Sequence, residues 1–244
     1  MGRLSWLLGE LVEAVPENER VRTLWLRVDG WTPHRAGQHV DLRLTADDGY
    51  EAVRSYSLAS PAADGAVSVT VERLDDGEVS PYLVDEMQVG DQLELRGPVG
   101  GYFVWDADDP RPVTLVGGGS GVVPLVAMIR QRAAEAAAAP MWLLYSARSA
   151  DDLLFGRELE GAGEGVAVSR TLTRSRPEAW TGYSRRVDRQ MLEEVAWPAD
   201  AHPRAFVCGP TAFVEHVAEL LLAVGYPPDA VRTERFGPTG GRDG

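Results

Sequence analysis

Arg54-Ser55-Tyr56-Ser57 places a guanidinium, an aromatic ring and two hydroxyls at successive positions of Glu51–Ser60, a segment that otherwise reads as a strand. With a period of two, Arg54 and Tyr56 share one face and Ser55 and Ser57 the other. A ring offers a stacking plane, a guanidinium pairs bidentately with a pyrophosphate, and a hydroxyl can bond the edge of a heteroaromatic ring. The set suits a flat, anionic ligand, although as four residues alone it also describes an edge strand with ordinary polar side chains. Further on, Gly117-Gly118-Gly119-Ser120-Gly121 separates an apolar strand from a long helical pattern. Such a turn lets backbone approach a pyrophosphate at the positive end of a helix dipole, or is simply a tight structural turn. Its spacing departs from G-x-G-x-x-G, because Pro124 stands where the third glycine would be.

Two further groups lie at strand ends. Tyr145-Ser146-Ala147-Arg148 closes the next strand: an acidic residue there would select NAD through the ribose 2′-hydroxyl, whereas a hydroxyl and a guanidinium suit a 2′-phosphate. Arg174, after a third strand, adds a second positive charge or is an ordinary solvated arginine. Cys208-Gly209-Pro210-Thr211 sits at the end of a fourth strand and opens a helix, where ligands bind in parallel sheets. The bland alternative for Cys208 is a small buried hydrophobe. Leu74-Asp-Asp-Gly77-Glu-Val79-Ser80 combines a glycine turn with a serine placed to cap a helix, whose first amides would bind an anion. His34, His39, His202 and His216 are scattered, and neither a Ser-His-Asp grouping nor metal-ligand spacing appears, so no metal is expected.

The elements that must position these residues fall into two textures. Glu10–Val15, Val21–Val28, His39–Leu44, Glu51–Ser60 and Val67–Arg73 read as short strands, with turn signals at Asp47–Gly49 and Ala63–Gly65. In His39–Leu44, Val40, Leu42 and Leu44 face one way and His39, Asp41 and Arg43 the other, as in a half-buried antiparallel strand. Gln92–Phe103 is expected to complete this small barrel or sandwich. After the acidic, proline-bearing segment 106–112, strands at Val113–Val116, Met141–Tyr145, Val166–Thr171 and Ala205–Cys208 alternate with helical patterns at 122–138, 153–160, 188–195 and 213–224. That alternation implies a parallel sheet covered on both faces. The expected domains are therefore residues 1–108 and 109–244.

Composition narrows the function classes. The 244 residues carry a net charge of −13, which argues against nucleic-acid binding. The lone cysteine excludes an intramolecular disulfide and a four-thiolate cluster or zinc site within this chain. No run approaches the twenty apolar residues of a membrane span, and Leu4–Leu8 is too short for a secretory segment, so a cytoplasmic location is expected.

Arg54-x-Tyr56-Ser57, Gly117-Gly-Gly-Ser-Gly-Val-Val-Pro124 and Cys208-Gly-Pro210, in this order and spacing, resemble the ferredoxin–NADP reductase superfamily of flavoproteins over about residues 10–237. The resemblance implies a six-stranded antiparallel β-barrel that binds FAD, followed by a parallel α/β domain that binds NADPH, with NADH possible. It implies that Arg54 holds the pyrophosphate, Tyr56 stacks on the flavin and Ser57 bonds near its N5. Val71, Glu72 and Arg73 would lie along the isoalloxazine, mainly through backbone groups, and Gly77, Val79 and Ser80 at the phosphates. Ser55 belongs to the same set. Gly118, Gly119, Ser120, Gly121, Pro124, Ser146, Arg148, Arg174, Gly209 and Pro210 would hold the nucleotide, with Cys208 beside the nicotinamide and Glu234 and Phe236 next to the flavin. Val123 departs from relatives that often carry threonine or alanine there. The implied activity is hydride transfer from NAD(P)H to flavin, with electrons leaving to a separate ferredoxin or oxygenase component, since no ferredoxin domain is fused here. Two rivals stand beside it: a flavin-binding docking or sensing subunit without hydride transfer, and a flavin-independent dehydrogenase.

Overall fold

A computed structural model of the chain describes residues 5–61 and 67–236. The turn expected at Ala63–Gly65, residue Leu4 and the glycine-rich segment after Phe236 lie outside them. Two compact units emerge, Met1–Asp106 with Val126–Glu135, and Ala107–Leu125 with Ala136–Gly244.

In the first unit, strands β1 (Leu7–Pro16), β2 (Val21–Val28), β3 (His39–Thr45), β4 (Glu51–Ser57), β5 (Val67–Glu72) and β6 (Gln92–Val99) form one antiparallel sheet in the order β4-β3-β6-β1-β2-β5. The two edges meet: Leu58 bridges Val69, and the Ala59 N–H donates to the Ser68 carbonyl at 2.8 Å, which closes the sheet into a barrel. Closure removes the free edges that an open sheet would expose. Alternation fills the interior, with Leu11, Leu24, Leu26, Val40, Leu42, Val69, Val71 and Leu95 in one core. Each such side chain contributes roughly 1.5–3 kcal/mol on burial. Two boundaries differ from the sequence reading. β1 begins at Leu7 because it has a second partner there, Leu7 pairing with Leu95 of β6. β6 stops at Val99 instead of running to Phe103, because Gly100 turns at φ +98, a left-handed conformation open to glycine.

In the second unit, β7 (Val113–Gly118), β8 (Met141–Ala147), β9 (Val166–Leu172), β10 (Arg204–Pro210) and β11 (Val231–Phe236) are all parallel, in the order β11-β10-β7-β8-β9. Successive strands step outward from β7 on one side and from β10 on the other. The switch point therefore lies between β7 and β10, and the crevice beyond their carboxyl ends is where such sheets bind ligands. Helices α1 (Val122–Ala134), α2 (Gly156–Glu160), α3 (Arg189–Val195) and α4 (Thr211–Ala223) connect the strands. Asp188 caps α3 as its position suggests, accepting from the Met191 N–H at 2.8 Å. Val207 and Val116 share a core with Val214, Val217 and Leu221 of α4.

Two helices are shorter than their patterns. α1 ends at Ala134, not 138: Ala136 is left-handed, at φ +50, and the residue before Pro140 is biased away from helix. α2 starts at Gly156, not 153, because the Tyr145 hydroxyl takes the Leu154 N–H at 3.1 Å and holds that residue in a loop.

Candidate functional site

On the barrel, pairing of β4 with β3 sets Arg54 opposite Leu42 and Tyr56 opposite Val40, while Ser55 faces Asp41 and Ser57 faces His39. The expected division of faces is present. Tyr56 packs against the barrel core, and burial, opposed by the nearby Arg54 charge, pushes its phenol up to about 12. It is a neutral ring at any physiological pH. Arg54 stands half exposed; it donates through Nη1 to the Val53 carbonyl at 2.8 Å and through Nη2 to Glu78 Oε2. Ser55 is turned away from this face. Its hydroxyl donates to Asp41 Oδ1 at 2.7 Å, so its side chain is committed to the opposite face.

Asp41 is 8% exposed and also accepts from Arg96 Nη2 at 2.6 Å. Burial pushes its carboxyl up, but the hydrogen bonds from Arg96 and Ser55 and the Arg96 charge outweigh this and hold it below the usual carboxylate range. The Trp6 ring lies under both Arg43 and Arg96, at 4.4 and 4.8 Å from ring centre to guanidinium carbon. This cluster braces the back of the strand that presents Arg54 and Tyr56.

The loop after β5 is built differently from its sequence reading. Ser80 does not cap the helical turn Tyr82–Glu86; its Oγ accepts from the Leu74 N–H at 3.0 Å, and the turn has no side-chain cap. The hydroxyl closes the loop on itself, with Ser80 buried beneath it. Gly77 is required there, since a Cβ would come within 2.7 Å of Ser80 Oγ and 3.2 Å of Leu74. Val71 and Val79 are fully buried in the barrel core, which leaves only their backbone to face a ligand. Glu72 is exposed, and Arg73 is ion-paired with Asp75 and, at 2.6 Å, with Asp85.

On the parallel sheet, the site is made of backbone. Gly119 has φ +56 with open space where a Cβ would lie, and the turn Gly119–Gly121 leads into α1, whose first turn holds Pro124. A Cβ on Gly121 would sit 2.3 Å from the Cys208 carbonyl oxygen, and one on Gly118 or Gly209 would meet the Phe213 ring at 2.8 Å. The β7–α1 and β10–α4 turns thus interlock at the switch point, with Ser120 in one and Pro210 in the other. Cys208 is 1% exposed and stands in register with Glu234 on β11, its Sγ 4.0 Å from Glu234 Oε2. Burial, and then the Glu234 carboxylate, push the thiol well above its usual value. The thiol is thereby kept in its neutral form at neutral pH. Phe236 ends β11 and is exposed.

Ser146, at the end of β8, is buried, while Arg148 is exposed one residue past the strand. The Arg174 and Ser175 N–H groups donate to the Arg148 carbonyl at 2.9 and 3.2 Å, so the two arginines that the sequence singled out are neighbours. A cavity of about 280 Å³ past the end of β9 is lined by Leu172, Thr173, Arg174, Ser175, Arg176 and Ser184.

Models of an oxidoreductase FAD-binding domain and an oxidoreductase NAD-binding domain match residues 10–104 and 115–219. Ferredoxin–NADP reductase B of Sorangium cellulosum (strain So ce56) is 35% identical over 240 residues, which cover 93% of this chain and 96% of that protein. The chain belongs to the ferredoxin–NADP reductase superfamily. The glycine betaine monooxygenase reductase subunit of Pseudomonas aeruginosa is 33% identical over 241 residues, and this chain spans 95% of its own length but 64% of that relative's. Among solved structures, an Amycolatopsis cytochrome P450 reductase superposes with a TM-score of 0.83 at 26% identity, over 98% of this chain and 72% of that one.

As a member of this superfamily the chain has donor groups that fit both ligands named by the family models. The Gly119–Gly121 turn offers backbone amides at the start of α1, and Arg54 and Tyr56 supply a charge and a ring on the barrel. Three participants had escaped the sequence reading. Phe213 was counted only as a helical residue, and its fit against two glycines depends on the fold. Arg176 was legible as a second arginine two residues after Arg174. Glu78 carried no signal that would tie it to Arg54, 24 residues away. No group of three or more metal-ligating side chains occurs among the described residues, nor any helix long and apolar enough to cross a membrane.

Proposed function

We propose that this protein is an NAD(P)H-dependent flavoprotein reductase, with FAD held by the barrel (1–108) and the pyridine nucleotide by the parallel-sheet domain (109–244), acting in the cytoplasm. The observation that carries the reading is the occurrence in one chain of a closed barrel presenting Arg54 and Tyr56 and a parallel sheet whose two glycine turns interlock beside Cys208. When bound, FAD supplies the chemistry, accepting hydride from the nicotinamide and releasing electrons onward. The chain's own residues bind and orient. Arg54 takes the pyrophosphate, Tyr56 gives a neutral stacking plane, and Ser57 donates near the flavin N5. The Gly118–Gly121 turn receives the nucleotide pyrophosphate at the start of α1, and Cys208 with Glu234 sets the position of the nicotinamide ring. No side chain needs to act as a general base.

NADPH is the favoured donor because Ser146-Ala147-Arg148 at the end of β8 includes no acidic residue, and the Arg148 carbonyl accepts from the N–H of Arg174, which lines a cavity past the end of β9. The acceptor in this reading is a ferredoxin or an oxygenase component, as the relatives' names suggest, and the lone cysteine excludes a four-thiolate cluster within these 244 residues. Two experiments test this reading. The purified protein should be yellow and its flavin should bleach on anaerobic mixing with NADPH; a colourless protein that rejects added FAD, or a flavin that both NADPH and NADH leave oxidised, would refute it. Arg148→Ala should raise KM for NADPH about tenfold or more with little change for NADH, and equal effects on both would remove the 2′-phosphate assignment.

A further inference from the structure

Two arginines that the flavin reading names, Arg54 and Arg73, have their guanidiniums held by carboxylates of the segment Asp75–Asp85. Arg73 pairs with Asp75 and Asp85, and Arg20 reaches Asp75 at 3.1 Å, so Arg73 belongs to a network that joins the loop to β2. The pairing of Arg54 is of another kind. It comes from β4, Glu78 from the loop, and a third group from the β3–β4 hairpin, Tyr50, whose hydroxyl donates to Glu78 Oε1 at 2.8 Å. The Arg54 and Glu78 side chains are 50% and 45% exposed, so the contact contributes little to the barrel core. The carboxylate nevertheless has a fixed place. Val79 on one side is fully buried, Gly77 on the other is wedged against Ser80 and Leu74, and Tyr50 grips the oxygen that Arg54 does not. Glu78 is thereby held as an anion against the one guanidinium assigned to the pyrophosphate.

We propose that Glu78 sets how tightly this protein holds its flavin: its carboxylate competes with the pyrophosphate for Arg54, and Tyr50 keeps it in the competing position. The inference rests on the assignment of Arg54 to the pyrophosphate. Bringing a dianionic pyrophosphate to Arg54 requires that the ion pair open and that the two anions lie side by side, and both costs vanish when the carboxylate is made neutral.

The test is the dissociation constant for FAD, measured by flavin fluorescence on the full chain after the bound flavin has been removed. Glu78→Gln, which keeps shape and loses charge, should bind FAD roughly 5- to 20-fold more tightly, on the scale of one exposed ion pair plus one like-charge contact. Tyr50→Phe, which loosens the grip on the carboxylate, should tighten binding by roughly two- to threefold on the same scale. Arg54→Ala is measured in parallel. If that variant loses FAD while Glu78→Gln binds no better than the parent, or worse, competition is refuted and the Arg54 assignment stands. If Arg54→Ala keeps full affinity, the assignment falls and the inference with it.

Discussion

The barrel and the parallel sheet prepare for an anion with different materials. On the barrel the group is a long side chain, Arg54, half exposed and in an ion pair that a ligand can replace. On the parallel sheet the groups are the amides of Gly118–Gly121, held by contacts so close that a single Cβ would collide with the Cys208 carbonyl or the Phe213 ring. Exposed ion pairs are worth little and rearrange easily, whereas interlocked backbone cannot move without disturbing the packing beneath it. The barrel site should therefore respond to substitution in affinity with stability kept, and the sheet site in stability and geometry together.

The sharpest test of that contrast is Gly121→Ala. The clash at 2.3 Å is with backbone, so the variant should lose about 3 kcal/mol of stability as well as nucleotide binding, seen as a lowered Tm and a lost titration with NADP. Unchanged melting with normal binding would erase the distinction between the two sites. Cys208→Ala comes next. If Cys208 holds the nicotinamide in place, misplacement on the order of 1 Å costs about a hundredfold in flavin reduction rate, with flavin content intact. A fall in Tm with an unchanged rate in single-turnover reduction would make it a core residue only. The same residue has a pH signature. Because burial raises the folded thiol above its unfolded value, its contribution to stability is full below that unfolded value, near pH 9.0, and is lost as pH rises beyond it. Cys208→Ala should flatten part of the alkaline loss in melts run from pH 8 to 10.

The smallest expected effect belongs to Asp41 on the barrel. Its folded pKa is lowered, so its contribution is present above the unfolded value of 3.8 and disappears as pH falls through the folded one. Asp41→Asn should cost about 1–2 kcal/mol at pH 7 by breaking the contacts with Arg96 and Ser55, and the difference from the parent should shrink toward pH 3. A gap that stays constant across that range would mean that the charge of Asp41 contributes nothing.

What could be read from the sequence was whatever local pattern controls. Val21–Val28 was a strand with those limits, since apolar alternation runs between two turn signals, and the helical pattern at 188–195 appears as α3 with Asp188 as its cap. The three motifs and their order placed the chain in its superfamily, because contacts to flavin and nucleotide constrain short runs of residues. Tertiary structure alone decided the rest. Ser80 could have capped a helix, but its hydroxyl was taken by Leu74 once the loop folded. The period of two already divided Arg54 and Ser55 between faces, but that Glu78 receives one and Asp41 the other was decided by the fold. The helical pattern of α1 ran on through alanines that favour helix, and the chain left it at Ala136 to reach β8. In each case the deciding partner lay on another strand or loop, where neither propensity nor spacing along the chain can register it.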